Sequence, residues 1–101
     1  MTPQTLVMEN QDVRLQKPSL YAVILHNDDI TTMDFVVQIL VEIFHKQPAD
    51  AAALMLDVHE NGQAIAGVYV FDIAATKKSQ ADRIASQNGF PLKLTIREVQ
   101  S

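Results

Sequence analysis

The chain contains no cysteine, which excludes a disulfide framework and any thiolate-ligated metal centre. It also lacks a charged-then-apolar leader and any apolar run of membrane-spanning length, so a soluble, cytoplasmic protein with no membrane partner is expected. Basic side chains are few: eight, at Arg14, Lys17, Lys46, Lys77, Lys78, Arg83, Lys93 and Arg97, against twelve acids, for a net charge of −4. They form no aromatic-studded stripe, which argues against nucleic acid and favours a basic or positively ended partner. No helix carries a closely spaced ligand pair of the HExxH kind. At 101 residues the expectation is one domain, near the size where about two-thirds of the unfolded surface is buried and a modest core forms without staples.

What the chain does have is an apolar run at residues 21–25 followed at once by His26, Asn27, Asp28 and Asp29. The run reads as a buried strand, and Thr31, Thr32, Met33 and Asp34 read as a helix start with Thr31 as cap and Asp34 in the first turn. From Met33 to Phe44 nearly every position is apolar except Asp34, Gln38 and Glu42. Those fall every fourth residue and leave one narrow wet stripe on a buried helix. Pro48 suits a first helical position, and residues 49–60 continue as a second helix that Asn61 and Gly62 end through a left-handed residue. Residues 64–71 read as a strand, with Asp72 capping a third helix that runs to about Asn88 and Gly89. After Pro91 the last strand alternates Leu92, Leu94 and Ile96 with Lys93, Thr95 and Arg97, one face buried and one wet. Residues 1–17 carry Gln4, Gln11 and Gln16 and no sustained period. They are expected to form a flexible tail, with the core domain spanning 18–101.

Strand directions follow from this order. Two antiparallel helices between the first and second strands make those strands antiparallel; a single helix between the second and third makes that pair run the same way. With the first strand, the most uniformly apolar, at the centre, every neighbouring pair is antiparallel. The predicted fold is an α+β two-layer sandwich, β-α-α-β-α-β, with a three-stranded antiparallel sheet of order 2-1-3 packed against three helices. That order brings Asn27, Asp28, Met33, Val58, His59 and Leu92 to one edge.

On the second helix Met55 shares a face with Val58 and His59, and Val36 lies one turn after Met33 on the first. The expected product is an apolar hole beneath a polar lip. Taken singly, Val36, Met55, Val58 and Leu92 are ordinary core, His59 is a solvated helix end, and Asp28 with Asp29 is a turn. Taken together, carbonyl, carboxylate and imidazole acceptors beside an apolar hole suit a ligand with a cationic head and a greasy side chain. A free protein N-terminus ending in a large apolar residue has that form.

The pattern Asn27-Asp28-Asp29, Thr31, Met33, Phe35-Val36, then Leu54-Met55-Leu56, Val58-His59, Gly62, then Gly67-Val68, Thr76-Lys77 and Pro91-Leu92 resembles the ClpS family over residues 18 to 99. The resemblance implies an adaptor, not an enzyme, that needs no cofactor or metal. It would bind N-degron substrates bearing N-terminal Leu, Phe, Tyr or Trp and deliver them to the Clp AAA+ unfoldase-protease. It assigns the substrate α-amino group to Asn27, Asp28 and His59, and loop support to Asp29 and Thr31. The side-chain pocket falls on Val36, Met55, Val58 and Leu92, with Met33 as the gate against β-branched residues. Docking to the N-terminal domain of a ClpA-like unfoldase falls on Asp72 and Lys77, and the tail before Pro18 would assist delivery. A neutral His59 accepting a proton from the ammonium would make binding weaken on acidification. The sequence departs from the family at Ile30 and Thr32, where an aromatic residue and a proline are common, and at Ala75, where an acid is common.

Two enzyme-like rivals are a metal-dependent hydrolase using His26, Asp28 and His59, and a phospho-receiver built on the paired acids. The second needs a larger parallel sheet than this chain can form. A plain protein-docking scaffold is the structural rival, and it leaves the lip without a purpose.

Overall fold

The computed structural model describes residues 18–100; the expected tail at 1–17 and Ser101 lie outside the described residues. The elements are β1 (Leu20–His26), α1 (Met33–Glu42), α2 (Pro48–Asn61), β2 (Gln63–Val70), α3 (Phe71–Gln87) and β3 (Lys93–Gln100). The sheet order is β2-β1-β3 and both pairings are antiparallel. This is the expected 2-1-3 arrangement with three helices.

The central strand is buried at Ala22, Val23, Ile24 and Leu25, in keeping with its lack of polar alternation and its place between two flanking strands. Val23 and Leu25 face the helices and pack with Phe35, Val36, Ile39 and Leu40 of α1, Val58 of α2 and Ala74, Ala81 and Ala85 of α3. The alanines on α3 let its axis lie close to the sheet, while α1 supplies the bulk of the large side chains. Phe35 and Phe90 fill the space beside Leu92 and Leu94, their ring centroids 4.7 Å apart. On the other side of the sheet Ile24 pairs across with Ile65 and Thr95.

Two helix starts differ from the sequence expectation. Thr32, not Thr31, caps α1: its hydroxyl accepts from the Phe35 N–H at 3.2 Å, so Met33 is the first helical residue. Thr31 is drawn into the preceding loop instead. Asp72 does not cap α3, which begins one residue earlier behind Val70, with no side-chain cap. Asp72 sits in the first turn, where its charge still faces the positive helix end. The α2 boundaries agree with the sequence reading: Pro48 opens the helix and Gly62 closes it with φ of 88°. Among the described residues, no helix is long and apolar enough to cross a membrane.

Candidate functional site

At the end of β1 the chain leaves the sheet and must turn back to start α1. Asp28 organises that turn. Its Oδ1 accepts from the N–H groups of Ile30 at 2.8 Å and Thr31 at 2.6 Å, and its Oδ2 accepts from the Thr31 hydroxyl at 2.8 Å. Burial opposes the charge, but these three bonds outweigh it and hold the carboxyl below the ordinary carboxylate value. Asn27 is fixed from the other side: its N–H donates to the Gly62 carbonyl at 2.9 Å. That bond extends the β1–β2 ladder one step past the His26–Gln63 pair. It ties the loop to the C-terminal end of α2, one turn from His59.

These constraints leave a cavity of about 380 Å³. Asn27, Asp28, Asp29, Ile30, Thr31 and Thr32 form one rim; Met33 and Val36 of α1 and Met55, Val58 and His59 of α2 complete it. Val36 and Val58 are buried, whereas Met33 is 44 % exposed. The floor is therefore apolar and continuous with the core, and the movable thioether stands at the opening. Electrostatics at the mouth favour a cation, because no Lys or Arg lines the cavity while Asp28 and Asp29 do. The carbonyl end of α2 adds its partial negative charge from the side of His59.

The residues that the sequence assigned to the lip and the pocket are thus brought together in one place with one exception. Leu92 is 6 % exposed and packed within the core; it is not among the cavity lining. It precedes β3 and is buried in the core, because the alternation that buries Leu94 also turns Leu92 inward. Asp28 is engaged within its own loop. A carboxylate offers roughly four acceptor positions, and three are taken within its own loop, so it holds the lip in shape and supplies charge more than free acceptors. Ile30 and Thr32 line the cavity and were marked in the sequence only as departures from a pattern. Their signal was adjacency to the polar lip.

The metal-hydrolase arrangement is not formed. His26 Nε2 lies 2.8 Å from Thr95 Oγ1 on the neighbouring strand, and His26 does not line the cavity that Asp28 and His59 share. Strand alternation puts it on the other face of the sheet from Leu25. Among the described residues no group of three or more His, Asp or Glu side chains is placed to hold a metal.

The family described as ATP-dependent Clp protease adaptor protein ClpS matches residues 16–95. The chain belongs to the ClpS family. It is 52 % identical to the adapter protein ClpS of Clostridium acetobutylicum, covering 98 % of this chain and 100 % of that one. It is 53 % identical to the ClpS of Syntrophus aciditrophicus, covering 95 % and 89 %. Its fold matches the structure of Agrobacterium tumefaciens ClpS2 bound to L-phenylalaninamide, with a TM-score of 0.79 and 35 % identity, over 82 % of this chain and all of that one. ClpS proteins are adaptors of the Clp protease and not enzymes.

The docking residues of the ClpS reading lie away from this cavity. Asp72 lines a second hollow with Pro18, Ser19, Tyr21, Val70 and Phe71, at the opposite end of β1. Lys77 is engaged inside the fold: its ammonium donates to the Ile43 carbonyl at 2.8 Å and lies 5.4 Å from the centre of the Tyr69 ring. It closes the carbonyl end of α1, which a ten-residue helix places roughly 15 Å from the lip.

Proposed function

We propose that this ClpS-family adaptor binds proteins through an N-terminal Leu, Phe, Tyr or Trp and hands them to the Clp AAA+ unfoldase. The observation that carries the reading is the single opening in which an apolar floor of Val36, Met55 and Val58 lies under a rim of Asn27, Asp28, Asp29 and His59. The ligand held by the Agrobacterium relative, L-phenylalaninamide, has those two parts, a free α-amine and a large apolar side chain. In this chain the Asn27 side-chain oxygen and a neutral His59 ring are the acceptors for the ammonium, with Asp28 and Asp29 supplying charge. Met33, half exposed at the opening, is the residue against which a side chain branched at its β-carbon would press.

Filling the floor with Leu or Phe contributes about 1.5–3 kcal/mol, and each charge-assisted hydrogen bond to the ammonium about 1.5–3 kcal/mol. Micromolar binding corresponds to about −8 kcal/mol. Neither half reaches that alone, so both are required. Unfoldase docking is supported by the placement of Asp72 at the sheet end remote from the cavity, where a bound partner leaves the lip open. The tail before Pro18 serves delivery in the same reading.

The test is fluorescence anisotropy with two short labelled peptides that begin with Phe, one with a free amine and one acetylated. Acetylation removes the charge and a donor, so the free amine binds and its blocked twin loses at least about a hundredfold. Equal affinities would exclude the proposed recognition.

A further inference from the structure

The most exposed large apolar side chain of the described residues is Ile30, at 66 %, and it stands on the rim of the cavity. Its position is not a by-product of a loose loop. The Ile30 N–H is held by Asp28 Oδ1 and the next N–H, that of Thr31, by the same oxygen. The backbone that carries the side chain is therefore fixed, while the side chain itself is left uncovered. Met33, also on the rim, is 44 % exposed. An aliphatic residue held rigidly and left in water at the edge of a site has apolar surface to offer an occupant.

We infer that Ile30, with Met33, forms a second subsite that receives the side chain of the substrate's second residue and favours an apolar one. The inference rests on the proposed recognition of an N-terminus. If the first side chain fills the floor and the amine meets the lip, the second Cα lies 3.8 Å further along the chain. It is then still at the mouth, within reach of the rim. The large apolar surface exposed there belongs to Ile30 and Met33, whereas Asn27, Asp29, Thr32 and His59 are polar. A hydrocarbon side chain at position two covers Ile30 and is covered by it; a serine or glutamine gains nothing from that contact. Partial burial of two or three methylene-sized groups corresponds to roughly a threefold to tenfold preference.

The experiment uses the full chain and four labelled peptides identical after position two: Phe-Leu, Phe-Ser and their acetylated forms. The wild-type protein binds Phe-Leu more tightly than Phe-Ser by roughly threefold to tenfold. In Ile30→Ser that ratio falls to about one, and in Ile30→Val it is largely kept. Circular dichroism confirms that the variants are folded, as expected for so exposed a position. A wild-type ratio of one, with acetylation still abolishing binding, overturns the second subsite and leaves the recognition of the N-terminus standing. A ratio unchanged in Ile30→Ser overturns the assignment to Ile30. If the free-amine peptides bind no better than the acetylated ones, the recognition reading and the subsite fall together.

Discussion

Asp28 shows how much one carboxylate can do for a loop. Its depressed proton affinity means that the charged form is the one the fold requires, so its contribution is present above the ordinary carboxylate range. It is lost as the pH falls through the folded value. Asp28→Asn keeps the shape and can keep its oxygen on the Ile30 and Thr31 N–H groups, but the Thr31 hydroxyl must reverse to accept from the amide and all three bonds lose their charge assistance. The expected cost is about 1–3 kcal/mol. It is checked by urea denaturation and by faster hydrogen exchange at the Ile30 and Thr31 amides. His26 carries the opposite functional weight and an equally definite pH signature. Burial, and then the neighbouring charge of Lys93, hold its imidazole below the ordinary value. The unfolded chain therefore takes the proton first, and stability, complete above roughly pH 6.5, declines as the solution is acidified through the folded value. Thermal midpoints measured across this window fall less steeply in His26→Gln than in the wild type.

The elements end on backbone geometry more than on side-chain caps. After α1 the chain turns through His45, which has φ of 57°, and the turn is closed by the Lys46 N–H on the Leu40 carbonyl at 3.0 Å. A β-carbon in that region is crowded by its own backbone. His45→Gly is expected to raise stability by about 1 kcal/mol, seen as a higher urea midpoint with an unchanged slope. The converse holds at Gly62, where φ is 88° and a β-carbon would meet nothing within 4 Å. Gly62→Ala therefore costs conformational strain alone, about 1 kcal/mol on the same measurement. Because the Gly62 carbonyl also holds Asn27, that change loosens the lip as well as the helix end.

At the scale of the molecule, the sheet separates two surfaces. Its β1 C-terminal end carries the cavity, and its β1 N-terminal end carries Asp72 and the exposed Phe71. Binding at one end need not disturb the other. Reversing the charge with Asp72→Arg is expected to weaken association with a Clp unfoldase N-terminal domain by about threefold to tenfold. Affinity for a free-amine peptide should change less than about twofold. Calorimetry of the two interactions checks this, and a parallel loss of both would show that the ends are coupled.

The element order, the antiparallel sheet and the meeting of Asn27, Met33, Val58 and His59 were legible in the sequence, because hydrophobic period, proline and glycine act locally and the parity of helix crossings dictates strand direction. The caps were not. Thr31 and Thr32 are chemically alike, and only the Asp28 loop decided that one turns back to the carboxylate while the other opens the helix. Lys77 and Leu92 carried no local mark of their surroundings either. One came to rest on the end of a helix 34 residues earlier, and the other within the core rather than in the cavity lining, since long-range packing chooses which neighbours a side chain meets. Sequence alone determined which groups are available at the lip; the tertiary structure decided which are free to bind and which are already spent on holding it together.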